Sequence, residues 1–339
     1  MTFMQKLFWF IALVLFPASI YFASNHWAPA HVISFILGLY VVVGIHDLWF
    51  SPHTLNRLYP VAAYMRYALE FIRPEIRQYF IAGDTEELPF NREERDLVYR
   101  RAQGLDDTQP FGTAHDITQA GWLGAAHSIA PTEVLEESKR VLIGGDQCTQ
   151  PYNAARLNCS AMSFGALSAN AIMAINKGAK LGGFYHNTGE GGFSPYHRQG
   201  GDIVWQIGTG YFGCRLPDGG FDSESFKASA TLDQVKMIEI KVSQGAKPSH
   251  GGVLPAAKVS SEIARIRLVT VGEDVISPPG HREFSTPKGL LNFVVKLREL
   301  SGGKPVGFKL CIGRKYEFLA ICKAMLETGI TPDFITVDG

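Results

Sequence analysis

A chain of 339 residues can hold one large domain with additions. Its 32 basic and 32 acidic residues cancel to a formal net charge of +0, so it lacks the basic excess expected of a nucleic-acid binder. Five dispersed cysteines (Cys148, Cys159, Cys214, Cys311, Cys322) form no CxxC pair. That argues against a zinc site or a disulfide framework and favours buried thiols.

The low charged fraction, 19%, has a local origin, because no Asp, Glu, Lys or Arg occurs between Lys6 and Asp47. Leu7 to Ala23 and Trp27 to Ile45 are apolar runs close to the roughly 20 residues that cross a bilayer. A signal peptide competes for the first run. It is disfavoured because a second hydrophobic run follows in place of a cleavage site and a polar start. The expectation is a tight transmembrane hairpin over residues 1–50, with the lipid bilayer as a partner. Lys6 precedes the first span, Arg57, Arg66, Arg73 and Arg77 follow the second, and the hairpin loop has no Lys or Arg. Both ends therefore face the cytoplasm. Trp9, Trp27 and Trp49 fall near the interfaces. The Arg-bearing stretch Asn56 to Tyr79 reads equally as an amphipathic helix on anionic lipid or as an ordinary linker helix.

Residues 51–150 read as a linking arm, polar and charged from Gly83 to Asp146. Asn91 followed by Glu94 marks a helix start. From 151 to 339 strand and helix patterns alternate, the signature of parallel βαβ units. Strands are expected at Leu157–Ala161, Phe184–His186, Asp202–Ile207, Met237–Val242, Val275–Ser277, Val306–Cys311 and Phe334–Val337. Helices are expected at Ala169–Leu181 after a Ser168 cap, Val259–Ile266, Pro287–Leu300 after Thr286, and Tyr316–Thr328. A closed (β/α)8 barrel has eight strands. Seven are counted before the chain stops at Gly339, so the expectation is a TIM-type barrel cut after its seventh strand.

Three glycine-punctuated polar segments stand where strands end. They are Met162 to Ser168 (MSFGALS), Asn187 to Gly192 (NTGEGG) and Lys241 to Lys247 (KVSQGAK). Glycine lets backbone approach a ligand, and the interleaved Ser, Asn, Thr, Glu and Lys direct hydrogen bonds. Such loops at one end of an α/β barrel point to a cofactor enzyme.

These loops, with Lys258, Arg267, Ser277-Pro278-Pro279 and Lys309, resemble the FMN-binding central domain of glutamate synthase over about Leu157 to Gly339. The nearer likeness is to membrane-anchored glutamate-synthase-like proteins that lack the other synthase domains. The resemblance implies FMN as cofactor, with Ser163, Gly165 and Ala166 against the flavin ring, Gln206 nearby and Lys241 at its N1/O2 edge. Asn187, Lys309 and Gly339 complete the implied cofactor positions. Lys241, Glu190 and Lys247 are the implied catalytic residues, and Thr209, Arg267 and His250 the implied substrate contacts. A cation at Lys241 suits negative charge on reduced flavin, and Lys and Arg suit a dicarboxylate.

The implied reaction makes glutamate from 2-oxoglutarate and ammonia through a 2-imino acid. Two departures qualify it: where the family has glutamate and then glutamine, this chain has His250 and Val253. Losing the glutamine puts 2-oxoglutarate in doubt and favours another substrate on the same scaffold. A non-catalytic membrane-tethered flavin scaffold is the other alternative. No glutaminase cysteine begins the chain, no Rossmann GxGxxG unit is present, and the electron donor is left open. An iron–sulfur cluster would belong to a region beyond Gly339.

Overall fold

The computed structural model describes residues 1–106, 112, 115–124, 126, 128–133, 135, 139–246 and 251–339. The chain divides into two compact units, Met1–His127 and Ser128–Gly339.

In the first unit, α1 (Phe3–Phe10) runs through a π-helical turn at Ile11–Leu15 into α2 (Phe16–Asn25). After a 3-10 turn, α3 (His31–Trp49) returns. Phe3–Asn25 and Ala28–Trp49 are each long and apolar enough to cross a membrane. They pack through small residues: Gly44 lies against the Phe8 ring and Gly38 against Phe16. Short α4 (Thr54–Leu58), α5 (Ala62–Ile76) and α6 (Arg92–Ala102) follow. Asn91 caps α6 with the capping box expected from Glu94: Glu94 N donates to Asn91 Oδ1, and Asn91 N to Glu94 Oε2, both at 2.9 Å.

The second unit opens with an antiparallel pair, β1 (Arg140–Ile143) and β2 (Tyr152–Ala155). The sequence pattern had placed β1 within a polar arm. A parallel sheet follows in the order β3 (His186–Asn187), β4 (Ile203–Ile207), β5 (Val235–Lys241), β8 (Val306–Cys311), β9 (Ile335–Asp338). Cys159 bridges to His186 in parallel and marks the position of the first expected strand. Consecutive strands lie side by side, with α7 (Ala169–Gly182), α8 (Ser223–Ala230), α10 (Pro287–Leu300) and α11 (Lys315–Thr328) as crossovers, and the sheet curls into a half-barrel.

One expected strand is corrected. Val275–Ile276 (β7) pairs antiparallel with Val253–Leu254 (β6) in a separate ribbon that also carries α9 (Ser261–Arg267). Two residues of β-branched sequence satisfy a ribbon as well as a barrel strand, and periodicity cannot separate the two. The half-barrel therefore holds six strand positions, counting the Cys159 bridge, and β9 is the sixth rather than the seventh.

Alternation along the strands divides their residues. Ile203, Trp205, Ile207, Ile238, Ile240, Val306, Phe308 and Leu310 join one core with Phe226 of α8 and with Leu290, Phe293, Val294 and Leu297 of α10. The alternate positions make the opposite face polar towards the strands' C-terminal ends, with Gln206, Glu239, Lys241, Lys309, Thr336 and Asp338, while Val204 and Met237 keep its N-terminal part apolar. Positions at the strands' C-terminal ends therefore carry the charges.

Candidate functional site

Three loops meet at the C-terminal ends of the strands. The turn after the first strand position is closed by bonds from Ala166 N and Leu167 N to Ser163 O, and Gly165 adopts φ 103°, open to glycine but strained for other residues. The loop after β3 packs directly on it. A Cβ at Gly189 would meet Ser163 N at 2.7 Å, and one at Gly191 would meet Phe164 O at 2.8 Å. Arg267, at the end of α9, buttresses the same turn. Its Nη2 donates to Phe164 O at 2.9 Å, and its guanidinium lies over the Phe212 ring. The side chain is buried, and its Nε has no partner among the described residues. Burial pushes its pKa below the usual value, opposed by the Glu190 carboxylate nearby.

Glu190 and Lys241 form the central pair. Lys241 Nζ donates to Glu190 Oε1 at 2.6 Å, and the two side chains are only 12% and 17% exposed. Backbone walls surround the carboxylate: a Cβ at Gly208 would lie 2.8 Å from Glu190 Oε2, and one at Gly252 would lie 3.0 Å from Oε1. Thr209, next to Gly208, is buried. Beside Lys241 in the β5–β8 register stands Lys309, whose Nζ is 3.4 Å from Asp338 Oδ2. Gly245 N also donates to that oxygen, and Gly339 O lies against Gly245. Each lysine thus has its own carboxylate, which lets two like charges occupy neighbouring strands.

Of the expected site residues, Ser163, Gly165, Ala166, Glu190, Thr209, Lys241 and Arg267 come together in and around these loops. Lys309 stands on the neighbouring strand β8, and Gly339 follows β9. Lys247 and His250 lie outside the described residues. Asn187 and Gln206 are turned inward. Asn187 Nδ2 and Gln206 Nε2 donate to Glu239 Oε2 at 2.8 and 2.5 Å, and Asn187 Oδ1 accepts from Gly189 N at 3.0 Å.

Sequence reasoning missed three groups. Glu239 is a buried carboxylate that also accepts from Thr336 Oγ1 at 2.6 Å, so it ties β3, β4, β5 and β9 together. Its place two residues before Lys241 in an alternating strand was a usable signal. His281 Nε2 is 2.8 Å from the Lys241 carbonyl, which can only accept, so Nε2 carries the proton and Nδ1 accepts from Tyr211 Oη at 3.2 Å. Burial lowers the His281 pKa. Ser277 Oγ is buried without a partner among the described residues, and a Cβ at Gly252 would come within 3.6 Å of it.

Loops of this construction on a curled parallel sheet have counterparts of known family. The conserved region in glutamate synthase is matched over residues 127–339. The chain belongs to the glutamate synthase family, as a glutamate synthase-like oxidoreductase. It is 36% identical to the glutamate synthase large subunit-like protein YerD of Bacillus subtilis (strain 168), over 91% of this chain and 67% of that protein. It is 32% identical to the archaeal-type glutamate synthase (NADPH) of Thermotoga maritima, over 53% of this chain and 32% of the relative. With the archaeal glutamate synthase (NADPH) of Methanocaldococcus jannaschii it shares 34% identity, over 52% of this chain and 32% of the relative. The chain thus spans about a third of the length of the synthases and two thirds of YerD. Among the described residues no group of three or more His, Cys, Asp or Glu is arranged to hold a metal.

Proposed function

We propose that the half-barrel is the flavin-bearing part of a (β/α)8 enzyme that interconverts a 2-imino acid and an amino acid, as in making glutamate from 2-oxoglutarate and ammonia. The observation that carries this reading is the Lys241–Glu190 pair, a nearly buried cation and carboxylate at a strand's C-terminal end, with Arg267 behind the adjoining loop. Two electrons and two protons convert a 2-imino acid into the amino acid. FMN, when bound, supplies the electron pair.

The residues present fit such a cofactor. Small residues Ser163, Gly165 and Ala166 give a low turn for a flat ring, and Lys241 and Lys309 offer positive charge beside it. Gln206 borders this region, with its amide nitrogen held by Glu239, and Asn187 shapes the loop beneath. Lys241 stabilises negative charge that develops beside it. Glu190, bonded to Lys241, is the group placed to accept or return a proton at Oε1. Arg267 and Ser277 present polar atoms, Nε and Oγ, without partners among the described residues, for a substrate carboxylate. In this reading Lys247 and His250 supply further contacts from the loop after β5, and Thr209 one from the loop after β4.

Electrons come from a ferredoxin, a pyridine-nucleotide partner or another membrane donor in this reading; the archaeal-type relatives carry NADPH in their names. Two apolar helices near the N-terminus fit a membrane anchor with the half-barrel on the cytoplasmic side.

The test uses the full chain in detergent, handled without oxygen. The expected result is a flavin absorption spectrum that bleaches on adding glutamate and recovers with 2-oxoglutarate plus ammonium. A flavin that responds to neither defeats the substrate assignment and favours another substrate on the same scaffold. A purified protein that binds no added FMN defeats the flavin reading itself.

A further inference from the structure

We propose that α5 and the turn that follows it, residues 62–81, lie in the headgroup layer of an anionic bilayer leaflet, at the membrane boundary where the two apolar helices end. This rests on reading those helices as spans.

Three observations within the first unit carry it. The first is exposure. Ala63 is buried, but every residue from Tyr64 to Arg77 is solvent-exposed, so beyond its first turn the helix is left uncovered by the described residues. Yet Met65, Leu69, Ile72 and Ile76 recur at helical spacing as one apolar stripe, and Phe71 and Phe80 are 82% and 85% exposed. Holding this much apolar surface in water is unfavourable. The second is charge. Arg66, Glu70, Arg73 and Arg77 form a parallel stripe one residue along, beside the apolar one, with Arg66 and Glu70 paired at 2.8 Å. Arginines flanking an apolar stripe can bury their stems in lipid and present their heads to phosphate.

The third observation is a polar clamp that fixes where α5 starts. Asp47, fully buried near the end of α3, accepts from Val61 N and Tyr64 Oη, both at 2.9 Å. Tyr67 Oη donates to Asn56 Oδ1 at 2.9 Å. At the same end, Thr2 Oγ1 and Gln5 Nε2 at the start of α1 donate to the carbonyls of Leu58 and Arg57, both at 2.7 Å. The first residues of one apolar helix, the last of the other and the first turn of α5 are thereby held together. If the helices span a bilayer, α5 emerges at its surface, on the side where Lys6 and the arginines lie. The occupant of its apolar face is then the adjoining leaflet, and acidic phospholipid matches the charged stripe, where Arg66, Arg73 and Arg77 outnumber Glu70; Glu75 lies off that stripe and leaves the segment a net +1.

Photocrosslinking tests this on the full chain in vesicles containing phosphatidylglycerol. Benzoylphenylalanine is placed at Phe71 or Ile72, at Glu70 on the charged stripe, and at Leu39 in α3 as the control for the span. The expected result is lipid adducts from positions 71 and 72 several-fold above position 70. These adducts fall several-fold when phosphatidylcholine replaces phosphatidylglycerol, or when Arg66, Arg73 and Arg77 are all changed to Gln. Adducts to protein alone from 71 and 72, with lipid adducts from 39, overturn the surface helix and leave the spans standing. An absence of lipid adducts at 39 as well overturns the spans on which the proposal rests. Adducts at 71 and 72 that ignore the lipid charge overturn the anionic recognition.

Discussion

Glu239→Leu replaces a buried acceptor with an apolar side chain of similar size and leaves its donors behind. Asn187 Nδ2, Gln206 Nε2 and Thr336 Oγ1 all end on this carboxylate, at 2.8, 2.5 and 2.6 Å. The Thr336 hydroxyl can rotate towards another acceptor, but the two amide groups sit on buried strand residues and cannot. Each unsatisfied buried donor costs about 1–3 kcal/mol, so two of them place the loss near 4 kcal/mol. At about 2–4 °C per kcal/mol for a unit of this size, melting should fall by roughly 8–16 °C. Glu239→Gln is the control. Its carbonyl still serves Asn187 and Gln206, its NH2 can donate to the Thr336 hydroxyl, and the desolvated charge is gone, so the loss should stay near 1 kcal/mol. Thermal unfolding of the full chain in detergent, followed by circular dichroism, reads both. If the leucine variant melts within about 2 °C of the parent, or the glutamine variant falls as far as the leucine one, the acceptor argument fails.

Lys241→Met removes the cation beside Glu190, and flavin reduction by substrate in stopped-flow should slow by roughly 10²–10³-fold, the scale of losing one electrostatic stabiliser. Gly165→Ala forces a Cβ to within 2.8 Å of Arg267 Nη2 at a backbone φ of 103°. It should destabilise the unit by more than about 1 kcal/mol in thermal unfolding and weaken substrate binding. Acid should loosen the half-barrel, because burial depresses the pKa of His186 to about 4 and of His197 to about 3. Both are neutral when folded near pH 7, while the unfolded chain takes up protons below about 6.5. Stability is therefore full above that pH and is lost between 6.5 and about 4 for His186, and down to about 3 for His197. The slope is about 1.4 kcal/mol per pH unit for each histidine, and a His186→Phe variant should show a flatter melting-temperature profile between pH 6.5 and 5.

What could be read in the sequence was what local chemistry decides. Thr286 before Pro287 and Ser168 before Ala169 mark helix starts, and both cap in the structure, donated to by Gly289 N and Ala171 N. Val306–Cys311 was bounded correctly because an apolar run with alternation sits between a helix and a glycine. Helix α8, with the sequence SESFKASA, went unread. It carries one large apolar residue, Phe226, and owes its position to that ring stacking on Trp205. That Glu239 lies on the polar face could be read from its place two residues before Lys241, but its role could not. Its partners come from three other strands, up to 97 residues away, and no local pattern encodes them. The loops around Glu190 and Lys241 were legible as motifs, but the ion pair between them depends on the curl of the sheet.

Position 253 shows how such a motif can mislead. With a valine where the family resemblance implies a glutamine, the sequence argues against a dicarboxylate substrate. In the ribbon, Gly252 approaches Glu190 Oε1 and Ser277 Oγ, so these two positions address the charged pair. Val253 pairs with Ile276, and both are exposed, at 53% and 68%. Alternation turns them to the opposite side from Gly252 and Ser277. The group at 253 is therefore a weak determinant of what binds beside Lys241. Arg267 is a stronger one: Lys241 is engaged by Glu190 and Lys309 by Asp338, whereas the Arg267 guanidinium keeps an Nε without a partner among the described residues. A charge-assisted hydrogen bond of about 1.5–3 kcal/mol corresponds to roughly 10–100-fold in affinity. Arg267→Gln should raise the KM for 2-oxoglutarate by that factor, and Val253→Gln should change it by less than about 3-fold, under 1 kcal/mol. Steady-state kinetics on the flavin-loaded protein decides the matter. A large gain in affinity from Val253→Gln would mean that the ribbon turns over when substrate binds, and that the valine does set the substrate after all.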